Sequence, residues 1–131
     1  MENELVIAID FDGTVVTHEY PRINYSKDIG SVKVLRRLIK EGHALVLNTM
    51  RSGKTLDDAV RWFEEKGIPL FGINENPTQK EWTSSPKVYA HLYIDDAAAC
   101  IPLIQEAGYR NYVDWKKLEK WLESENYLRS Y

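Results

Sequence analysis

Three short aliphatic runs, each stopping on polar residues able to carry chemistry, constrain the fold of this chain more than any other feature. Leu5, Val6, Ile7, Ala8 and Ile9 lead into Asp10 and Asp12; His43, Ala44, Leu45, Val46 and Leu47 lead into Asn48 and Thr49; His91, Leu92, Tyr93 and Ile94 lead into Asp95 and Asp96. Runs of this length, rich in branched side chains, suit strands buried on both faces, as in a parallel sheet. A shorter strand is expected around residues 70–73, ending at Asn74.

Between these runs the apolar spacing widens to three and four. Ser31 opens a helix carrying Val32, Leu35, Leu38 and Ile39, with Gly42 just past its end. A second helix carries Leu56, Ala59, Val60 and Phe63, with Thr55 and Asp58 as its capping pair and Gly67 as its stop. Beyond the fourth strand, residues 102–107 read as a short helix ended by Gly108, and residues 109–113 as a short edge strand. Asp114 then caps a helix bearing Trp115, Leu118, Trp121 and Leu122. Alternation of strand and helix predicts an α/β, Rossmann-like parallel sheet of four to five strands with helices on both faces.

With 131 residues, the chain fits one domain spanning residues 1–131. A formal net charge of -3 gives no footprint for nucleic acid. The acidic start, Glu2 and Glu4, does not resemble a secretory signal, and no apolar run approaches the roughly 18 residues that span a bilayer. The single cysteine, Cys100, cannot form an internal disulfide, which fits a reducing cytoplasm, and reads as a small packed side chain. The expected location is cytoplasmic.

In a parallel sheet all strand carboxyl ends lie on one edge, where open α/β sheets bind their ligands. That edge would collect Asp10, Asp12, Thr49, Asn74, Asp95 and Asp96. The first stretch alone also fits a strand ending in a polar turn. Four carboxylates brought together repel one another, so they either take up protons or bind a cation. Oxygen ligands of this kind suit Mg²⁺.

Asp10-Phe11-Asp12-Gly13-Thr14, the Thr49 closing a hydrophobic strand, a lysine before the fourth strand, and Asp95-Asp96 together resemble the four signatures of the haloacid dehalogenase-like hydrolase superfamily. The resemblance covers about residues 4–108. It implies a phosphatase in which Asp10 attacks phosphorus and Asp12 serves the leaving group and then the attacking water. It also implies that Asp10, the backbone carbonyl of Asp12, Asp95 and Asp96 hold Mg²⁺, and that Thr49 binds a phosphoryl oxygen.

The lysine has two candidates. On one extended strand Lys87 would lie about 26 Å from Asp95, at the wrong edge; a helical turn started by Pro86 would bring it back, which favours Lys87 over Lys80. Its role would be to neutralise phosphoryl charge. Arg51, two residues past Thr49, is placed to reach an anionic substrate, with an exposed surface charge as the alternative. His18, His43 and His91 lack zinc-site spacing and read as structural.

Superfamily members often insert a cap domain after the first or third strand. Residues 15–30 and 74–89 are too short for one, so no cap is expected. An open site goes with a macromolecular substrate, or with a neighbouring copy in a homo-oligomer as cover; a small phosphorylated molecule also fits. Tyr20, Arg22, Tyr25 and Trp82 are candidate walls of the entrance, or else surface packing. Two rival readings are a receiver-like signalling domain and a catalytically silent relative that binds a phosphorylated ligand. A receiver needs its acidic pair after the first strand and its phosphorylated aspartate after the third, where this chain has Asn74.

Overall fold

A computed structural model describes residues 4–129. The first strand, β1 (Val6–Ile9), is followed by helix α1 (Ser31–Lys40), strand β2 (Ala44–Leu47), helix α2 (Gly53–Glu65) and the two-residue strand β3 (Gly72–Ile73). After a long connection containing a 3₁₀ turn (Gln79–Glu81) come β4 (Leu92–Ile94), β5 (Leu103–Ile104), β6 (Tyr112–Val113) and helix α3 (Trp115–Ser124).

Four strands form one parallel sheet in the order β3-β2-β1-β4. Ile9 faces Leu47 on one side and Ile94 on the other, so three acid- or hydroxyl-bearing ends finish level. β1 lies centrally because its aliphatic run tolerates burial from both sides: Ile7 and Ile9 are fully buried and Ala8 nearly so.

The helices do not cover both faces. Ile7, Ile9, Leu45 and Leu47 share one core with Val34, Leu35 and Leu38 of α1, Ala59, Trp62 and Phe63 of α2, and Trp115, Leu118 and Leu122 of α3. The alternate positions, Ala8 and Val46, pack under Val88 from the 74–91 connection. Strand order explains this. Both βαβ crossovers step the same way, from β1 to β2 to β3, and right-handed crossovers in one direction place their helices on one face. The return from β3 to β4 runs across the other face, and that connection has only a 3₁₀ turn.

Three further expectations are corrected. Residues 102–107 are not a helix: Leu103 and Ile104 pair antiparallel with Val113 and Tyr112 in a separate two-stranded sheet. A helix this short gains little from its own few hydrogen bonds, whereas the ladder uses these backbone groups, and the Asp114 N–H donates to the Pro102 carbonyl at 2.8 Å. Among the described residues the parallel sheet has four strands, within the expected four to five. Thr55 does not form a capping box; its hydroxyl donates to the Ser52 carbonyl. The expected cap of α3 is present, the Asp114 carboxylate accepting the Lys117 N–H. Cys100 is exposed, at the left-handed φ of 65°, and is not a packed core side chain.

Candidate active site

Backbone pairing sets the site. The Asp10 N–H donates to the Ile94 carbonyl (3.0 Å) and the Asn48 N–H to the Ile9 carbonyl (2.8 Å), which locks the ends of β1, β2 and β4 together. Asp10, Asp95 and Asp96 consequently converge, each offering a carboxylate oxygen within 4.8 Å of the others, all half-buried.

Thr14 fastens this triad. Its hydroxyl donates to Asp10 Oδ2 at 2.8 Å and accepts the Asp96 N–H at 2.9 Å. The residue is fully buried, and its carbonyl takes the Trp115 indole N–H at 2.6 Å. Thr14 carries no site role in the sequence reading, although its place two residues after Asp12 marks it. Gly13 is required beside it. Its φ is +81°, and a Cβ there would stand 2.4 Å from Asp96 Oδ2. The ring edge of His18 borders the same point, 3.5 Å away. Arg110 approaches His18 Nδ1 at 3.3 Å; since arginine only donates, this nitrogen accepts and the Nε2 carries the hydrogen.

Burial pushes Asp10 up to about 7; the Thr14 hydroxyl opposes this, and the neighbouring Asp95 and Asp96 add to it. Burial also raises Asp95, opposed by the Ala97 N–H and reinforced by Asp96. Crowded carboxylates held above their ordinary range want either a proton or a cation. An all-oxygen set of three carboxylates fits Mg²⁺, a hard ion that keeps open positions for water and phosphate.

Asp12 stands apart from the triad. Its two oxygens accept from Arg51, Nε–H to Oδ2 and Nη2–H to Oδ1, each at 2.8 Å. Arg51 is buried, and its other N–H groups go to the carbonyls of Pro21, Arg22 and Thr55. The expectation that Arg51 reaches an anionic substrate is therefore corrected: no N–H of its guanidinium is left for one.

Thr49 lies at the carboxyl end of β2. Its N–H donates to the Asn74 side chain (2.8 Å) and its Oγ1 accepts the Arg51 N–H (3.1 Å), so β3's end braces β2's. Neither lysine forms an ion pair with Asp10, Asp12, Asp95 or Asp96 among the described residues. Lys87 is exposed, its ammonium 5.7 Å from the centre of the Tyr93 ring, two residues before Asp95. Lys80 pairs with Glu75 at 3.6 Å.

Of the entrance candidates, Tyr20 lies nearest the site, its ring 5.1 Å from the Arg51 guanidinium carbon. Trp82 packs on Tyr89, which packs on His91 at the start of β4, so it stands toward the opposite edge. Tyr25 lies beside Glu65 at the far end of α2, also away from the triad. Exposed Arg22 contributes its carbonyl to Arg51. His43 and His91 are structural, as expected: His43 links the Leu5 N–H to the Tyr127 carbonyl, and His91 accepts the Val6 N–H.

Fold and site define an α/β protein whose parallel sheet, flanked by helices, gathers three carboxylates at its carboxyl edge. The chain belongs to the same family as a conserved protein of Bacteroides thetaiotaomicron, whose solved structure it matches with a TM-score of 0.73 and 32% identity, over 94% of this chain and 93% of that one. No protein-family model matches the sequence, and no curated protein matches it. No helix among the described residues is long and apolar enough to cross a membrane.

Proposed function

We propose that this protein is a Mg²⁺-dependent phosphatase of the haloacid dehalogenase-like type, hydrolysing a phosphate monoester through an aspartyl-phosphate. The observation that carries this reading is the convergence of Asp10, Asp95 and Asp96, with a buried hydroxyl holding Asp10 and Asp96 together. Asp10, Asp95 and Asp96 would hold the ion, which when bound supplies positive charge against the phosphoryl oxygens.

In the first step an Asp10 oxygen bonds to phosphorus as the bond to the leaving oxygen breaks, and that oxygen takes a proton from Asp12. In the second, water attacks the same phosphorus and gives its proton to Asp12. The Asp10–phosphorus bond breaks, orthophosphate leaves, and both carboxyl groups are restored. Thr49, at the same edge, would steady a phosphoryl oxygen, and Lys87 would offer charge from the Tyr93 side.

Residues 15–30 hold no helix or strand of their own, and the 74–91 connection holds one 3₁₀ turn. We therefore take the domain to be capless and its site open to a small or macromolecular phosphate ester, covered by the substrate or by a neighbouring copy. The receiver-like alternative has against it the position of the triad, built from the ends of β1 and β4 with Asn74 after β3. Hydrolysis of an aryl phosphate by the purified chain, with Mg²⁺ and with chelator, tests the proposal. Turnover should require the metal and vanish in Asp10→Asn; full turnover in excess chelator contradicts it.

A further inference from the structure

We propose that Arg51 is a positioning residue that ties the placement of Asp12 to the loop Tyr20-Pro21-Arg22, so that proton transfer at Asp12 depends on how that loop sits. This rests on the role given to Asp12 above.

All five N–H groups of the guanidinium are used: two on the two Asp12 oxygens, two on the carbonyls of Pro21 and Arg22, and one on the carbonyl of Thr55. The guanidinium carbon lies over the rings of Phe11 (5.0 Å) and Tyr20 (5.1 Å), and the side chain is 1% exposed. A buried guanidinium without its carboxylate is an uncompensated charge, so the pair holds Asp12 in one place as firmly as Asp12 holds it. Each carboxylate oxygen keeps a second lone pair beyond the Arg51 contact, which leaves room for a hydrogen bond to a further group.

The two rings differ. Phe11 belongs to the core, whereas Tyr20 is 55% exposed. Arg51 therefore joins the carboxylate of Asp12 to a loop facing solvent, through bonds to both. The bidentate contact fixes the orientation of the Asp12 carboxylate as well as its place. An arginine serving substrate directly would keep donors free.

The test measures kcat and KM for an aryl phosphate with Mg²⁺ in wild type, Asp12→Asn, Arg51→Lys, Tyr20→Ala and the two double variants with Asp12→Asn. Lysine cannot span two carboxylate oxygens, and misplacement of a catalytic group by about 1 Å costs on the order of 100-fold, so Arg51→Lys should lower kcat by about that factor while KM stays within about threefold. Tyr20→Ala, at an exposed position, should lower kcat by about tenfold through the same link. In the Asp12→Asn background neither change should lower kcat further, because the residue they position no longer transfers a proton.

Losses that multiply in the double variants overturn the proposal, since they place the effect in the fold alone. So does an Arg51→Lys enzyme with raised KM and unchanged kcat, which would make Arg51 a substrate ligand. Where Arg51→Lys does not fold, the Tyr20→Ala pair decides by the same rule. Asp10-dependent turnover that is insensitive to Asp12→Asn overturns this inference and leaves the phosphatase; absence of any Asp10-dependent turnover overturns both.

Discussion

The carboxylate of Asp96 occupies the space that a side chain at Gly13 would fill. An ideal Cβ on Gly13 comes within 2.4 Å of Asp96 Oδ2, at a φ of +81°. Glycine is thus demanded twice, by backbone conformation and by the approach of an acid from β4. Gly13→Ala is expected to destabilise the fold by ~1–2 kcal/mol from the left-handed conformation alone. It should also displace Asp96 and weaken Mg²⁺ binding. Thermal denaturation and calorimetric titration with Mg²⁺ check the two effects; an alanine variant that binds Mg²⁺ as wild type does would show that Asp96 is not a ligand.

Thr14 joins Asp10 to Asp96 through one buried hydroxyl. Thr14→Val keeps the shape and removes both hydrogen bonds, leaving the Asp96 N–H and an Asp10 oxygen short of a partner. A loss of ~1–3 kcal/mol is expected from denaturant titration. Thr14→Ser should recover most of it; a valine variant as stable as wild type beside a destabilised serine variant would assign the role to the methyl group.

Stability should depend on pH in a way that Mg²⁺ reverses. Asp10 lies at about 7 in the fold against an ordinary 3.8, and Asp95 is also raised. The folded metal-free protein therefore holds protons that the unfolded chain has released between these values, so its stability falls as pH rises through that window. The contribution is fully present below the unfolded value and lost above about 7. Melting temperatures in chelator should drop from about pH 5 to about pH 8, and less so in Asp10→Asn. Mg²⁺ at about 100 times its dissociation constant should add ~2.7 kcal/mol at the alkaline end, and progressively less as protons compete below neutrality. A Mg²⁺ effect independent of pH would place the ion elsewhere.

The two lysines should separate under mutation. Lys80 pairs with Glu75 on an exposed surface, while Lys87 has no ion-pair partner among the described residues and lies over Tyr93, close in sequence to Asp95. Lys87→Met is expected to lower kcat/KM by about 100-fold or more, the scale of one lost electrostatic contact to a developing charge; Lys80→Met should stay within about twofold. The reverse order would assign the charge to the 3₁₀ turn.

What the sequence made legible follows physical range. β1 and β2 are legible because double-sided burial writes itself as unbroken aliphatic runs; β4 is an edge strand with Tyr93 exposed, legible from Leu92, Ile94 and the two aspartates after them. The level ends of β1 and β4 bring Asp10, Asp95 and Asp96 together. The one-sided helical layer was not readable, since it depends on the strand order β3-β2-β1-β4 and the handedness of the crossovers. Leu103 and Ile104 took a ladder in place of a helix because their partners, Tyr112 and Val113, come later in the chain. The pairing of Arg51 is hidden for a similar reason. Its partner Asp12 is 39 residues away, and nothing in local spacing distinguishes a guanidinium spent on a carboxylate from one left for substrate.

Whether Asp10 carries the phosphoryl group tests the central claim most directly. The protein is mixed with Mg²⁺ and an aryl phosphate, quenched in acid during turnover, and mapped by peptide mass spectrometry. The account predicts phosphate on the peptide containing Asp10, none in Asp10→Asn, and no turnover in that variant. Undiminished turnover in Asp10→Asn, or steady turnover with the phosphate on another residue, would contradict it.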